Sequence, residues 1–340
     1  MPVTIKDIAK IAGVSHTTVS RALHDSPVIA PNTIHRIKTI AGDLGYLPSA
    51  MGRGLKTRQT RALGVIVSSL ADPFWSEVMQ GIDAVLHPAG YSLIISASRR
   101  DKQREKEIVR AMGERRVDGV IMCSPPFDPE HGRSLHNYGL PMVVVNNQSA
   151  EDIQYSVYHD NEYGTRQVVR HLIDLGHREI AFLGNQQGGR TTMERESGYR
   201  AEMQAAGLPI PEGYVVMGPE NTPAGGCSAA QQLIALPEKP TAIVCYNDLM
   251  AVGVYSALYF AGLSVPRDLS VAGFDNLLIA AFLTPPLTTF SQPMHQLGME
   301  AARLLLSLLE EHGGESPVPQ QAICVRGELL VRGSTQAPPP

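Results

Sequence analysis

The first 45 residues place apolar side chains at the three- and four-residue spacing of amphipathic helices. This spacing predicts a first helix over 5–12, which Thr4 caps with Asp7 as its capping-box partner. Gly13 permits the left-handed conformation of a sharp turn, and Ser15 caps a second helix that runs through about residue 23. Two short helices around a glycine corner predict a helix-turn-helix.

A third helix completes this N-terminal module. Pro31 suits the first turn of a helix, and Gly45 suits its end. The small residue Ala9 and the β-branched Val19 let the first two helices cross closely on either side of Gly13.

From Arg61 onward, short apolar runs alternate with amphipathic segments. The runs predict strands at 63–67, 92–96, 119–122, 142–146, 155–159, 180–183, 214–217, 242–245 and 270–273. Helices are predicted near 161–175, 194–206, 224–235, 248–262 and 293–312. Repeated strand-helix alternation requires parallel sheets covered on both faces, and two such series predict two similar lobes with a cleft between them.

The predicted fold class is an all-α helix-turn-helix headpiece joined to a two-lobed α/β core with parallel sheets. The family resemblance given below implies that a hinge helix joins the two. The expected boundaries are a headpiece at 1–48, a hinge at 49–60, a core at 61–335 and a disordered tail at 336–340. Within the core, lobe one comprises about 61–160 plus 292–321, and lobe two about 161–291 plus 322–335.

Charge is distributed unevenly along the chain. The whole sequence has a net charge of −4, but residues 1–60 carry eight Lys and Arg against three Asp, a net charge of +5. A small basic module joined to an acidic body is typical of a domain that meets a phosphate backbone.

The exposed N-terminal face of the second helix therefore supplies the expected DNA contacts. We expect base contacts from His16, Thr17 and Arg21, and backbone contacts from Thr4, Ser15, Thr18, Ser20 and Lys56. The alternative for these polar residues is a solvated helix face.

No run of apolar residues is long enough to span a membrane, and a charged helix follows the first four residues directly. We therefore expect a cytoplasmic protein without a membrane partner. The four cysteines are scattered without metal-ligand spacing, so we expect free thiols and no metal. No catalytic motif is present, so we expect neither an enzyme nor a cofactor.

Two motifs carry a resemblance to a known family. Val14-Ser15 with Thr18-Val19-Ser20-Arg21, followed by Leu44-Gly45-Tyr46-Leu47-Pro48, resembles the lactose-repressor (LacI/GalR) family of bacterial transcription regulators. The resemblance implies a periplasmic-binding-protein-like core, and a hinge in which Leu55 wedges into the minor groove of the operator. Ser49, Gly52 and Gly54 depart from the family pattern. Because glycine disfavours helix, we expect the hinge to fold only on DNA; the alternative is a plain flexible linker.

Ligands of open α/β sheets bind at the carboxyl ends of strands, so polar and aromatic residues there are the effector candidates. They are Asp72, Phe74, Trp75, Asp160, Arg195, Asn247, Asp275 and Gln292. The resemblance assigns an effector contact to Arg195 in Arg-x-x-Gly-Tyr. Any single candidate has the alternative role of a helix cap or a packed aromatic, as for Asp72, Phe74, Trp75 and Asp160.

The core departs from the family pattern at two further places. No aromatic residue stands near Thr222 and Pro223, where several relatives have one over the ligand. Arg99 and Arg100 follow the second strand, where we expect them at the solvated start of the next helix; the alternative is that they admit an anionic effector such as a sugar acid.

The resulting hypothesis is a homodimeric regulator, a repressor of transcription, that binds pseudo-palindromic operator DNA. A sugar or sugar derivative between the lobes controls it by allostery. A dimer rather than a tetramer is expected because no leucine heptads follow residue 312. The alternative function is a sugar-binding receptor without a regulatory role.

Overall fold

The computed structural model describes residues 3–46, 59–123, 138–146, 155–311 and 320–339. The chain divides into two compact units between Thr60 and Arg61. The predicted hinge features at Ser49, Gly52 and Gly54, together with Leu55 and Lys56, lie outside the described residues.

The N-terminal unit consists of three helices around a small apolar core. They are α1 (Ile5–Ala12), α2 (His16–Leu23) and α3 (Pro31–Asp43). The buried residues of this core are small or β-branched, namely Ile8, Ala9, Ala12, Val19, Ala22, Ile37 and Ala41. Ala9 and Val19, which are predicted to let the first two helices cross closely, both belong to this core.

Local side chains set the limits of these helices. Thr4 and Asp7 form the predicted capping box, with the Thr4 amide donating to Asp7 Oδ2 at 2.9 Å. Gly13 has φ 64°, in the left-handed region, and Ser15 Oγ accepts the Thr18 amide at 3.1 Å. The turn between α1 and α2 therefore rests on one glycine and one capping serine.

Lobe one of the second unit is a six-stranded parallel sheet with the order β11-β5-β4-β3-β1-β2. Its strands are β1 (Ala62–Val67), β2 (Ser92–Ala97), β3 (Gly119–Cys123), β4 (Met142–Val145), β5 (Tyr155–His159) and β11 (Gln321–Val325). The helices α4 (Pro73–Leu86), α5 (Lys102–Glu114) and α10 (Met294–Glu311) belong to this lobe. Gly81 of α4 faces the carbonyl of His295 on α10, and this absence of a side chain lets the two helices cross closely.

Lobe two is a six-stranded sheet with the order β12-β10-β9-β8-β6-β7, parallel except for the antiparallel edge strand β12. Its strands are β6 (Ile180–Asn185), β7 (Val215–Gly218), β8 (Ala242–Cys245), β9 (Ser270–Asp275), β10 (Thr288–Ser291) and β12 (Glu328–Leu330). Its helices are α6 (Asn161–Asp174), α7 (Arg190–Ala205), α8 (Pro223–Ile234) and α9 (Asp248–Phe260).

Within the described residues, the chain crosses between the lobes after β5, after β10 and between β11 and β12. The predicted return to lobe two at residue 322 is wrong, because Ala322–Val325 pairs with β5 in the first sheet. The return occurs at β12. The apolar pattern of this segment suits the edge of either sheet, so the sequence alone did not distinguish them.

The C-terminal segment is ordered through Pro339, in contrast to the predicted disordered tail at 336–340. The Gln336 amide donates to Ser270 Oγ at 3.1 Å, and the Gln336 carbonyl lies 2.8 Å from His177 Nε2. These bonds hold the end of the described chain against lobe two. Among the helices in the described ranges, none is long and apolar enough to cross a membrane.

Candidate functional site

In the N-terminal unit, α2 presents a polar surface opposite its buried side. Val19 and Ala22 are fully buried, whereas His16, Thr17 and Arg21 are exposed. The three side chains predicted to read bases are therefore accessible, as a recognition helix requires.

The residues predicted to contact the DNA backbone lie around the same helix. Ser15 is exposed and its hydroxyl also lies 2.9 Å from Thr18 Oγ1, and Thr18 and Ser20 are half-buried. Thr4 is exposed at the start of α1, where its hydroxyl donates to Asp7 at 2.6 Å. The hydroxyls of Thr4 and Ser15 cap α1 and α2 and remain at the surface.

In the second unit, the carboxyl ends of the strands from both lobes line a small cavity of about 50 Å³ that is open to solvent. Lobe one contributes Ser68, Asp72, Phe74, Trp75, Arg100 and Asn146. Lobe two contributes Gln187, Gly188, Thr191, Arg195, Asn221, Tyr246, Asn247 and Asp275, and Gln292 lies at the second crossover. A site at this end of open sheets is where such folds bind ligands.

Arg195, on α7, is the most constrained cation of the cavity. It is 3% exposed, and its guanidinium carbon lies 3.9 Å from the ring centre of Phe274 and 4.7 Å from that of Tyr246. One terminal nitrogen donates to the Tyr246 carbonyl, and the other lies 3.4 Å from Asp275 Oδ1. Two aromatic faces and a carboxylate thus hold a planar fork of donors at the cavity wall.

Asn161, the first residue of α6, supports Arg195 from behind. Its Oδ1 accepts from Arg195 Nε at 3.0 Å and lies 2.8 Å from His159 Nε2, while its amide nitrogen donates to Glu194 at 2.9 Å. His159 is 1% exposed, and burial lowers its pKa to about 3, with the nearby Arg195 charge acting in the same direction. The imidazole is therefore neutral and adds no charge to this network.

Asp275 and Gln292 form the floor of the cavity. Gln292 Nε2 donates to Asp275 Oδ1 at 2.5 Å, and Gln292 Oε1 is buried without a hydrogen-bond partner among the described atoms. Burial raises the pKa of Asp275 to about 7, against the opposing effect of Arg195. The floor therefore offers acceptors for a hydroxyl or an amine of a ligand.

The lobe-one wall combines a carboxylate with aromatic faces. Asp72 caps α4 by accepting the Phe74 amide at 3.1 Å, and burial raises its pKa. Phe74 and Trp75 pack edge to face with ring centres 4.9 Å apart, and the indole nitrogen donates to Ser68 Oγ at 2.9 Å. Both aromatics are buried yet line the cavity, so they serve packing as well as the site surface.

Four hydrogen bonds join Arg100 and Asp72 of lobe one to residues of lobe two. Arg100 donates to the carbonyl and the side chain of Gln187 at 3.0 and 3.3 Å, and to Asn221 Oδ1 at 3.4 Å. Asn221 in turn donates to Asp72 Oδ2 at 3.1 Å. Arg100 thus lies in the cavity rather than at the solvated helix start expected from sequence, whereas Arg99 is exposed.

Seven of the eight residues proposed from sequence lie at the cavity, namely Asp72, Phe74, Trp75, Arg195, Asn247, Asp275 and Gln292. Asp160 does not line it, because its carboxylate accepts the Tyr163 amide at 2.9 Å and caps α6. Sequence reasoning missed Ser68, Asn146, Gln187, Gly188, Thr191, Asn221 and Tyr246. Ser68, Asn146 and Tyr246 directly follow strands, so a wider search at strand ends finds those three.

Comparison with known proteins agrees with this division of the chain. The sequence profile described as "Bacterial regulatory proteins, lacI family" matches residues 4–49, and a "Periplasmic binding protein-like domain" matches residues 169–335. The chain is 33% identical to the HTH-type transcriptional repressor PurR of Photobacterium profundum, covering 98% of each chain. It is 35% identical to the HTH-type transcriptional repressor CytR of Escherichia coli, covering 99% of this chain and 97% of that one. The chain belongs to the LacI family of bacterial regulatory proteins.

A structural match covers nearly the whole chain. The crystal structure of the Lac repressor dimer bound to operator and the anti-inducer ONPF matches with a TM-score of 0.87 and 27% identity, covering 99% of this chain and all of that one. As a LacI-family member, the chain is a sequence-specific DNA-binding transcriptional regulator that an effector controls. The match at 4–49 favours this function over that of a sugar-binding receptor without a regulatory role.

The side chains at the cavity offer hydrogen-bond donors, acceptors and aromatic faces, the groups that bind a small molecule. No group of three His, Cys, Asp or Glu residues with metal-binding geometry occurs in the described ranges. Cys123 and Cys245 are buried in strands, and burial raises the pKa of both thiols. The two relatives named above are described as transcriptional repressors.

Proposed function

We propose that the chain represses transcription as a homodimer on pseudo-palindromic operator DNA, and that a hydroxyl-rich small molecule in the interlobe cavity controls its affinity for DNA. The main support for this proposal is the cavity, in which Arg195, Asp275 and Gln292 present fixed hydrogen-bond donors and acceptors. The same chain has a helix-turn-helix as its N-terminal unit. We expect this function in the cytoplasm, because the regulator acts on bacterial DNA.

His16, Thr17 and Arg21 are the proposed base contacts, because they share the exposed face of α2. Arg is suited to guanine O6 and N7, while Thr and His suit single hydrogen bonds or a thymine methyl group. The proposed phosphate contacts are Thr4, Ser15, Thr18, Ser20 and Lys56, with Leu55 as the minor-groove wedge.

A sugar or sugar derivative fits the chemistry of the cavity. Carboxylate and amide oxygens of Asp72, Asp275 and Gln292 accept from hydroxyls, while Arg195 and Asn247 donate to ring and hydroxyl oxygens. Phe74 and Trp75 supply apolar faces for the carbon skeleton. All of these residues border the cavity.

Exposed apolar side chains on lobe two support the homodimer. Tyr259 and Phe260, at the end of α9, are 77% and 81% exposed, and Leu278 and Phe282 are 80% and 73% exposed. Large apolar groups on a folded surface mark a contact with another protein, and we infer that a second copy covers them. Two headpieces on one dimer would match the two half-sites of a palindrome.

Effector control follows from linkage between the two sites. An effector that prefers one relative arrangement of the lobes shifts the population toward it, and so changes operator affinity. Thermodynamic reciprocity requires the operator to change effector affinity by the same factor.

The experiment is selection of binding sites from random-sequence duplex DNA by the full-length chain. We expect an enriched pseudo-palindrome, and we expect Arg21→Ala to relax its sequence at symmetric positions in both half-sites. Enrichment of no common sequence, or an unchanged sequence with Arg21→Ala, would reject the assignment of α2 as the recognition helix.

A further inference from the structure

Arg100 differs from the other cavity arginine in its charge balance. Arg100 donates hydrogen bonds to three neutral acceptors: the carbonyl and the side-chain oxygen of Gln187, and the amide oxygen of Asn221. Within the described ranges, no carboxylate lies within 4.0 Å of Arg100, whereas Arg195 has Asp275 at 3.4 Å. A guanidinium has five N–H donors, so three bonds leave donors for a ligand.

The start of α7 lies beside this guanidinium. Gln187, whose carbonyl accepts from Arg100 at 3.0 Å, comes two residues before Gly189, the N-cap of the helix. Gly189 provides no side-chain cap, and both Gly188 and Thr191 border the cavity. The first turn of this 16-residue helix therefore brings unpaired backbone N–H groups and a partial positive charge to the same end of the cavity.

A second set of atoms indicates what else a ligand must carry. Gln292 is 3% exposed, and its Oε1 is without a hydrogen-bond partner, as is the buried Oδ1 of Asn146. Both residues line the cavity. Buried acceptors that lack donors are costly, so a ligand that supplies hydroxyl groups at these positions is favoured.

We propose that the effector is an anionic polyol, whose carboxylate or phosphate is held between Arg100 and the first turn of α7 while its hydroxyls satisfy Gln292 and Asn146. This proposal rests on the proposed function, because it names the chemical class of that effector. The anion bridges the lobes, since Arg100 belongs to lobe one and α7 to lobe two. Arg100 thereby becomes the residue that determines specificity for charge.

Asp72 is compatible with an anion in the same cavity. It accepts from the Phe74 amide and from Asn221, and both Arg100 and Arg195 offset its charge. Its carboxylate is available to accept from a ligand hydroxyl. The two arginines and the α7 N-terminus then supply the positive potential for the anionic group.

The test uses sets of related ligands in which some members carry an anionic group and one is neutral. We would measure thermal stabilisation and calorimetric affinity of the full-length chain with three sets: a hexitol, its aldonate and its phosphate; a pentose and its 5-phosphate; and a nucleoside and its 5′-monophosphate. Within at least one set, we expect an anionic member to bind about tenfold or more tightly than its neutral counterpart, as one charge-assisted hydrogen bond provides. Preference for the aldonate over the phosphate, or the reverse, identifies the anionic group.

Two variants distinguish a specific effect of Arg100 from the effect of any nearby positive charge. Arg100→Met should abolish the preference for the anionic member, measured as the ratio of anionic to neutral affinity. Arg99→Met, which removes an exposed neighbouring charge, should retain that ratio. Neutral members that bind as well as anionic ones would overturn the proposal while preserving a polyol effector. A preference that survives Arg100→Met would also overturn it. Stabilisation by no member of any set would count against both the anionic class and the polyol effector itself.

Discussion

Asn161 and Arg195 are joined by a buried hydrogen bond in which the arginine Nε donates to the asparagine Oδ1 at 3.0 Å. Asn161 is the first residue of α6, directly after the chain has crossed from lobe one, and it does not line the cavity. The orientation of the cavity arginine is therefore coupled to the first crossover. This makes Asn161 a positioning residue that acts on the effector through Arg195.

Asn161→Ala tests this coupling. Loss of the Nε acceptor frees Arg195 to rotate, so we expect effector affinity to fall about tenfold. Operator affinity in the absence of effector should change less than twofold. Calorimetry and fluorescence anisotropy measure the two affinities. The neighbouring change Asp160→Asn is the control, because Asp160 caps α6 and does not line the cavity. Equal losses of effector affinity in both variants would mean that Asn161 acts only through the stability of α6.

Arg195→Lys tests the geometry of the cation. Lysine retains the charge but cannot donate simultaneously to Asn161, Tyr246 and Asp275, and it lacks the planar group that stacks between two rings. We expect effector affinity to fall by about tenfold or more, with specific operator binding retained. Affinity equal to the wild type would indicate that only the charge at this position matters.

His159 predicts a specific dependence of stability on pH. Its pKa is lowered to about 3 in the folded chain, against about 6.5 in an unfolded one, so the unfolded state binds the extra proton between these values. His159 therefore favours folding fully above the unfolded pKa, and this contribution is lost as pH falls toward 3. Each pH unit below about 5.5 should cost about 1.4 kcal/mol of unfolding free energy.

His159→Gln should remove this contribution to the slope. Urea unfolding at pH 7, 5.5 and 4.5 measures the free energies, and the difference in slope between variant and wild type isolates His159 from other titrating groups. His87→Gln, at an exposed position, is the matched control. Parallel pH profiles for wild type and His159→Gln would contradict the prediction.

The headpiece contacts predict two distinct mutational effects. Arg21→Ala should reduce the ratio of operator to random-DNA affinity, because a base contact is worth about 1–3 kcal/mol of discrimination. Lys56→Gln should weaken both affinities similarly and reduce the slope of log affinity against log salt by about one. Anisotropy titrations across a range of salt concentrations measure both quantities. The same ratio and the same slope change in both variants would reject this division between base and phosphate contacts.

The sequence predicted elements where a local pattern determines them. Apolar runs located β1 to β9 but not β10, β11 or β12, and capping residues such as Thr4 and Ser15 gave the helix starts. The start of α7 is an exception: the prediction began at residue 194, but the helix begins at Arg190, because the positive φ of Gly189 ends the preceding turn earlier. Helix boundaries beside glycine pairs are poorly specified by apolar periodicity.

The cavity residues that could be predicted from the sequence are those that come directly after strands. Asp275 and Asn247 were identified because carboxyl ends of parallel strands converge, whatever the details of packing. Asn221 was not identified, and for Arg100 a cavity role was only the alternative to a solvated helix start. The two residues meet only when the lobes approach one another, and no local pattern encodes that distance. Asp160 was assigned to the cavity wrongly because a residue after a strand can equally cap the next helix.

If the interlobe cavity controls operator binding, ligand and operator must change each other's affinity by the same factor. Measuring both changes is the most direct test. With a ligand from the matched sets that stabilises the full-length chain and an operator from the selection, one would measure operator affinity with and without saturating ligand, and ligand affinity with and without operator. We predict that both affinities change by the same factor, of about fivefold or more. Arg195→Lys should raise the ligand concentration that produces half of the change in operator affinity. Tight binding of ligand that leaves operator affinity unchanged would contradict the account.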